Sequence, residues 1–119
     1  MNVQIFGTQK SQDTKKALRF FKERGLSPQF IDLSARKTAP GELKRFVERF
    51  GVRALINTQS RAYERSGLEY RRLDDAALLQ YLLGEPALMV QPLVRSGSRL
   101  TLGWDDAFWR EAVAAERGG

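Results

Sequence analysis

Two different hydrophobic periods follow one another in the first 33 residues, and that succession limits the folds open to the chain. Val3 and Ile5 alternate with polar Asn2 and Gln4, and Phe6 follows, which is the period of a short strand. Gly7 to Gln12 reads as a loop. From Asp13 to Arg24, Ala17, Leu18 and Phe21 recur at helical spacing, with Lys15, Lys16, Arg19, Lys22 and Glu23 largely outside. Ser11 or Asp13 offers a side-chain oxygen to the first unpaired N–H groups of that helix. Gly25 stands where a left-handed terminating residue is expected. Pro28 to Leu33, PQFIDL, reads as a second strand. Strand, helix, strand predicts two parallel strands joined by a right-handed helical crossover.

The remainder extends this start. Pro40 suits the first turn of a second helix, because its missing N–H costs nothing there. Leu43, Phe46, Val47 and Phe50 give that helix its apolar stripe, and Gly51 ends it. A short apolar piece, Ala54 to Ile56, leads to a polar turn and a short helix near Ser60–Arg65, closed by Gly67. Asp74 caps a further helix whose Leu78, Leu79, Leu82 and Leu83 form a buried stripe. Leu93 and Val94 start a strand, Arg95 to Ser98 make a turn, and Leu100 and Leu102 alternate in the next strand. Asp105 caps a last helix containing Phe108, Trp109, Ala112 and Val113, and the tail from Ala114 is expected to fray. Trp104 and Trp109 are assigned to core packing, with an exposed Trp as partner anchor the alternative. The expected fold is α/β: a small mixed four-stranded sheet flanked by helices, in the order β-α-β, helices, β-β-α. The 119 residues suit a single domain, with the helical insertion at roughly 38–84.

Composition then removes chemistry. The chain holds no Cys and no His. That leaves no disulfide, no thiol nucleophile, no imidazole base and no ordinary zinc set. No apolar run approaches the roughly 20 residues of a membrane span. The N-terminus lacks the pattern of a signal peptide, so a cytoplasmic location is expected. The formal net charge is +6, but the cations are interleaved with acids, as in KKALRFFKERG and GELKRFVERFG. Interleaving favours ion pairs on helix surfaces over a nucleic-acid stripe, and no recognition motif accompanies the charge.

Three segments carry a closer resemblance: FGTQKSQDTKKA, ALINTQSRAYERSGL and LMVQPLVRSGSRLTLGW. Their order and spacing are similar, from end to end, to the ArsC/Spx family of arsenate reductases, their relatives and the Spx transcription regulators. The resemblance implies a thioredoxin-like fold with a helical insertion. It also implies a cis peptide bond between Gln91 and Pro92, where the family has its active-site proline. It places the family's nucleophilic cysteine on Ser11 and the second cysteine of its Cys-x-x-Cys members on Thr14. The arginine before the proline falls on Gln91, that of the Thr-Arg-Ser segment on Gln59, and the additional arginine of arsenate reductases on Asn57.

These departures form one set, because a thiolate attacks an oxyanion only where arginines offset the charge. No catalytic residue and no cofactor is therefore expected, and Ser11, Thr14, Gln59, Gln91 and Pro92 read as vestigial positions. Ser11 as a nucleophile would need Lys10 or another Lys as base, so a helix cap or weak anion donor is the preferred reading. Lys10, Ser11, Gln12, Arg61 and Arg95 are the candidates for holding an anion, against a plain reading as solvated surface. The resemblance also sets Gly51 where Spx-type regulators approach the C-terminal domain of the RNA polymerase α subunit. Gly51 is equally the glycine that stops a helix. The expected function is a binding or regulatory module with a protein partner and without redox activity. The alternatives are an arsenate reductase or thiol oxidoreductase, and a binder of a small oxyanion or glutathione without turnover.

Overall fold

The computed structural model describes residues 3–35 and 40–118. The chain divides into two compact units, Met1–Leu33 with Gln91–Gly119, and Ser34–Val90. The position near 38 at which the insertion was expected to begin lies outside the described residues, as does Asn2.

In the first unit, strand β1 (Val3–Gly7), helix α1 (Gln12–Glu23) and strand β2 (Gln29–Asp32) follow the predicted order. Strands β3 (Leu93–Ser96) and β4 (Arg99–Leu102) complete a sheet of order β2-β1-β3-β4. β1 and β2 are parallel, while β3 is antiparallel to both β1 and β4. Ile5 lies opposite Val94, so their side chains share one face of the pleat. With Val3 they join Ala17 and Phe21 of α1 and Phe108, Trp109, Ala112 and Val113 of helix α5 (Asp106–Gly118) in one buried cluster. Phe21 and Trp109 are wholly buried. Removing a side chain of that size from water stabilises by about 1.5–3 kcal/mol, so these two anchor α1 and α5 to the sheet. The Phe20 and Trp104 rings meet Trp109 at 5.7 and 4.8 Å between centroids.

The expected caps form. Ser11, not Asp13, is the N-cap of α1, accepting from the Thr14 N–H at 3.2 Å. The Asp105 carboxylate accepts from the Phe108 N–H at 3.0 Å at the start of α5. Three expectations are corrected here. Arg95 and Ser96 belong to β3, and Gly97 and Ser98 alone make the turn. Gly97 takes φ +62° and no described non-glycine residue has positive φ, the pattern of a two-residue hairpin with glycine first. The tail does not fray: α5 continues to Gly118, because Ala114 and Ala115 favour helix and the Arg117 guanidinium donates to the Arg24 carbonyl. Trp104 is not core; it is 51% exposed, because it follows Gly103, where the chain leaves β4.

The second unit is helical. It comprises α2 (Pro40–Phe50), α3 (Arg61–Ser66) and α4 (Asp75–Gly84), with 3₁₀ turns at Val52–Leu55, Leu68–Tyr70 and Pro86–Leu88. Gly51 takes φ +83° and Gly67 φ +71°, ending α2 and α3. Ser60 caps α3 through the Tyr63 N–H at 3.0 Å, and Asp74 caps α4 through the Ala77 N–H at 2.8 Å. Leu43, Phe46, Leu55, Leu78, Leu82 and Leu88 are among its buried side chains. Leu79 is only partly buried and lines a shallow groove with Gly41, Lys44, Val47 and Glu48. The predicted stripe of α4 is thus one residue narrower, since four leucines in six positions cover more than one helix face. The Ala54–Ile56 piece is a 3₁₀ turn followed by a single antiparallel bridge, Ile56 to Met89.

One close approach sets how α1 meets β1. A Cβ added to Gly7 would overlap the Thr14 hydroxyl and lie 2.6 Å from Thr14 Cγ2 and 3.0 Å from its Cβ. Gly7→Ala is therefore expected to destabilise the protein by about 1–3 kcal/mol through overpacking. In urea unfolding, Gly7→Ala combined with Thr14→Ala should lose less than the two single losses added together, because they share this contact.

Candidate functional site at the β1–α1 junction

Antiparallel register assembles the site. In the β1–β3 pairing Phe6 lies opposite Leu93. Continued past the strand ends, the same register sets Gly7 against Pro92 and Thr8 against Gln91. Proline has no N–H to continue such a ladder. The ladder stops there, and the Thr8 N–H donates instead to the Gln91 side chain, whose Oε1 accepts at 2.8 Å. The same oxygen accepts from the Thr8 hydroxyl at 3.2 Å and the Thr14 hydroxyl at 3.4 Å. The backbone N–H donor, whose position is fixed, determines that the amide turns its oxygen, rather than its NH₂, to the junction. On the other side, the Pro92 carbonyl accepts from the Gly103 N–H at 2.8 Å. The Gln91–Pro92 bond is cis, as the resemblance implied.

Thr14 is fully buried and Thr8 is 8% exposed. Ser11 is half-buried, and its hydroxyl oxygen is engaged as the α1 cap. Its N–H donates to the Thr8 carbonyl at 3.1 Å, and its carbonyl accepts from the Lys15 N–H at 3.1 Å. Lys10 and Gln12 flank it and are exposed. Ser11, Thr14, Gln91 and Pro92 are thus gathered at one junction. Arg95 is not brought to it. Its partner in β1 is Gln4, three residues and so about 10 Å along the strand from Gly7. Its Nε donates to the hairpin carbonyl of Gly97 at 2.8 Å.

The remaining candidates lie in the second unit. Asn57 is engaged locally: its Oδ1 accepts from the Gln59 N–H at 3.0 Å. Its N–H donates to the Leu88 carbonyl at 2.7 Å. Its carbonyl accepts from the Ser60 hydroxyl at 2.8 Å. The Gln59 and Arg61 side chains are exposed, Arg61 at the first position of α3. Gly51 is exposed, and a Cβ there would meet nothing within 4 Å. Its positive φ therefore suffices as the structural reason for glycine.

Thr8 was absent from the candidates drawn from the sequence. A signal existed in the hairpin arithmetic, since a register that pairs Ile5 with Val94 also opposes Thr8 and Gln91. That register is a tertiary fact, and Thr8 and Gln91 are 83 positions apart. Among the described residues there is no group of three His, Cys, Asp or Glu that could hold a metal. Among the same residues, no helix is long and apolar enough to cross a membrane.

A strand, a capped helix, a cis-proline and a sheet of order β2-β1-β3-β4 define a thioredoxin-like protein with a helical insertion. The ArsC family pattern matches residues 6–112, and the chain belongs to that family. An arsenate reductase of Neisseria meningitidis serogroup A is 25% identical over 104 residues, covering 85% of this chain and 89% of the relative. The structure of an arsenate reductase from Vibrio cholerae superposes with a TM-score of 0.79 at 25% identity, covering 94% of this chain and 98% of that one. The YffB (PA3664) protein superposes with a TM-score of 0.83 at 20% identity, covering 94% and 99%. The cysteine is absent from the nucleophile position, where this chain has Ser11, and its absence is consistent with reduced or lost arsenate reductase activity.

The cap geometry makes a prediction. Ser11→Cys puts a thiol at the N-terminus of a 12-residue helix. Its pKa is expected below about 8.5, the value of a free cysteine, because the helix end favours the thiolate. The pH dependence of iodoacetamide alkylation measures it, and a value above that reference would contradict the stated geometry.

Proposed function

We propose that this protein is a redox-silent member of the ArsC family that acts, in the cytoplasm, as a binding or regulatory module for a protein partner. One observation carries the reading. The residue at the nucleophile position is a serine whose oxygen caps α1, in a chain with no cysteine and no histidine. Reduction of an oxyanion through a thiol needs a sulfur to form and break the bond. It also needs cations to offset the charge of the anion. Here a neutral glutamine directs an acceptor oxygen into the junction, and Asn57 and Gln59 are neutral as well. An acceptor oxygen repels an anion, so the same observation weighs against a small-oxyanion or glutathione site in the unaltered chain.

The partner candidate implied by the family resemblance is the C-terminal domain of the RNA polymerase α subunit, with Gly51 at the approach. Two experiments test the reading. The purified protein, given arsenate, glutathione and glutaredoxin, is expected to form no arsenite above the blank; turnover would overturn the redox-silent assignment. Titration of the labelled protein with that purified polymerase domain is expected to give saturable binding, and Gly51→Arg is expected to weaken it at least tenfold, while Gly51→Ala, which carries the same backbone strain at φ +83° without the bulk, is expected to retain it. Saturable binding unaffected by Gly51→Arg would remove Gly51 from the contact, and no binding would remove this partner.

A further inference from the structure

We propose that the amide oxygen of Gln91 is a built-in occupant of a three-donor acceptor site, and that the site takes a small carboxylate or carboxamide once Gln91 is withdrawn. Three donors, the Thr8 N–H, the Thr8 hydroxyl and the Thr14 hydroxyl, converge on one oxygen at 2.8, 3.2 and 3.4 Å. A carbonyl oxygen has two lone pairs. The shortest bond satisfies it well, and the two longer ones are donors that a neutral amide oxygen does not need. Both donor residues are at least nine-tenths buried, so neither hydroxyl is simply turned to water. A group with more acceptor capacity than an amide suits the cluster better. A carboxylate is such a group, and its bonds to N–H and O–H donors are shorter and about twice as strong as neutral ones.

The occupant is tethered in a way that makes it removable. Gln91 precedes Pro92, the position at which backbone pairing between β1 and β3 has already stopped. Its side chain bridges to Thr8 in place of a ladder bond. Truncation to alanine deletes Cγ and the carboxamide. Acetamide and acetate have the same number of heavy atoms as the deleted group, so each can refill the space and meet the same donors. In the unaltered protein the glutamine oxygen competes with any such ligand at the effective concentration of a tethered group. The wild-type junction is thereby closed to small carboxylates. This inference goes beyond the proposed function and does not depend on it: arsenate turnover would defeat the latter without touching the former.

The test is thermal unfolding of the wild-type protein, Gln91→Ala and Gln91→Met, each in acetamide, in sodium acetate and in sodium chloride of matched ionic strength. Both variants are expected to melt lower than wild type, on the order of 5 °C, because the buried Thr8 N–H loses its acceptor. Acetamide and acetate should raise the melting temperature of Gln91→Ala along a saturating curve, acetate at the lower concentration, with sodium chloride inert. Wild type and Gln91→Met, in which the space is filled, should show no saturating rise. The Thr8 amide resonance of Gln91→Ala should shift with the same midpoint. Absence of a saturating rise in Gln91→Ala, or an equal rise in wild type, overturns the proposal. Should Gln91→Ala fail to fold, Gln91→Ser carries the same titration, since it also vacates the space of the carboxamide.

Discussion

Helix α1 reaches β1 closely at one point, and the architecture of the first unit follows from it. Gly7 has no side chain, and Thr14 occupies the space a Cβ would need. Thr14 is fully buried there, with its hydroxyl directed to Gln91. The first turn of the helix is thus seated on the end of the central strand. Ala17 and Phe21, one and two turns further on, then fall into the cluster with Trp109 and Val113. A larger residue at position 7 would lift the helix, and the apolar contact along its length would suffer with it.

The ending of the β1–β3 ladder explains the chemistry of the junction. The ladder ends at Leu93, and the Pro92 carbonyl accepts from the Gly103 N–H on the other side, so the Thr8 N–H needs another acceptor in a buried position. Leaving such a group unsatisfied costs about 1–3 kcal/mol. Gln91 removes that cost by folding its own carbonyl back. The consequence is electrostatic: a guanidinium at this position would present donors, whereas the glutamine presents an acceptor. The sign of the local field is reversed relative to what an oxyanion requires. Ser11 is equally committed, because its oxygen satisfies the Thr14 N–H. The two positions at which the ArsC resemblance places a nucleophile and a charge-offsetting arginine have become parts of the structural frame.

Much of this fold was legible in advance because it is written locally. Ser11, Ser60, Asp74 and Asp105 each bond an N–H three residues on, a relation that spacing alone reveals. Gly51, Gly67 and Gly97 mark positive φ where an element ends or turns. The expectations that failed depend on neighbours far away in sequence. The last turns of α5 include Arg117, which bonds the Arg24 carbonyl, a partner 93 residues distant. Trp104 reads as apolar, yet it sits over Trp109 with the Lys16 ammonium 5.4 Å from its ring, and about half its surface remains open.

The amino-acid sequence by itself determined that no thiol and no imidazole can serve in any site of this protein, because a chain without cysteine and histidine lacks those groups in any conformation. It also determined the succession of strands and helices, since hydrophobic period and caps act over a few residues. Only the tertiary structure decided which polar atoms meet. Thr8 and Thr14 both bond Gln91 because strand register sets position 8 against 91 and the seating of α1 on β1 adds position 14, which brings residues 83 and 77 apart to within 3.4 Å. A shift of one residue in that register would turn each side chain to the opposite face.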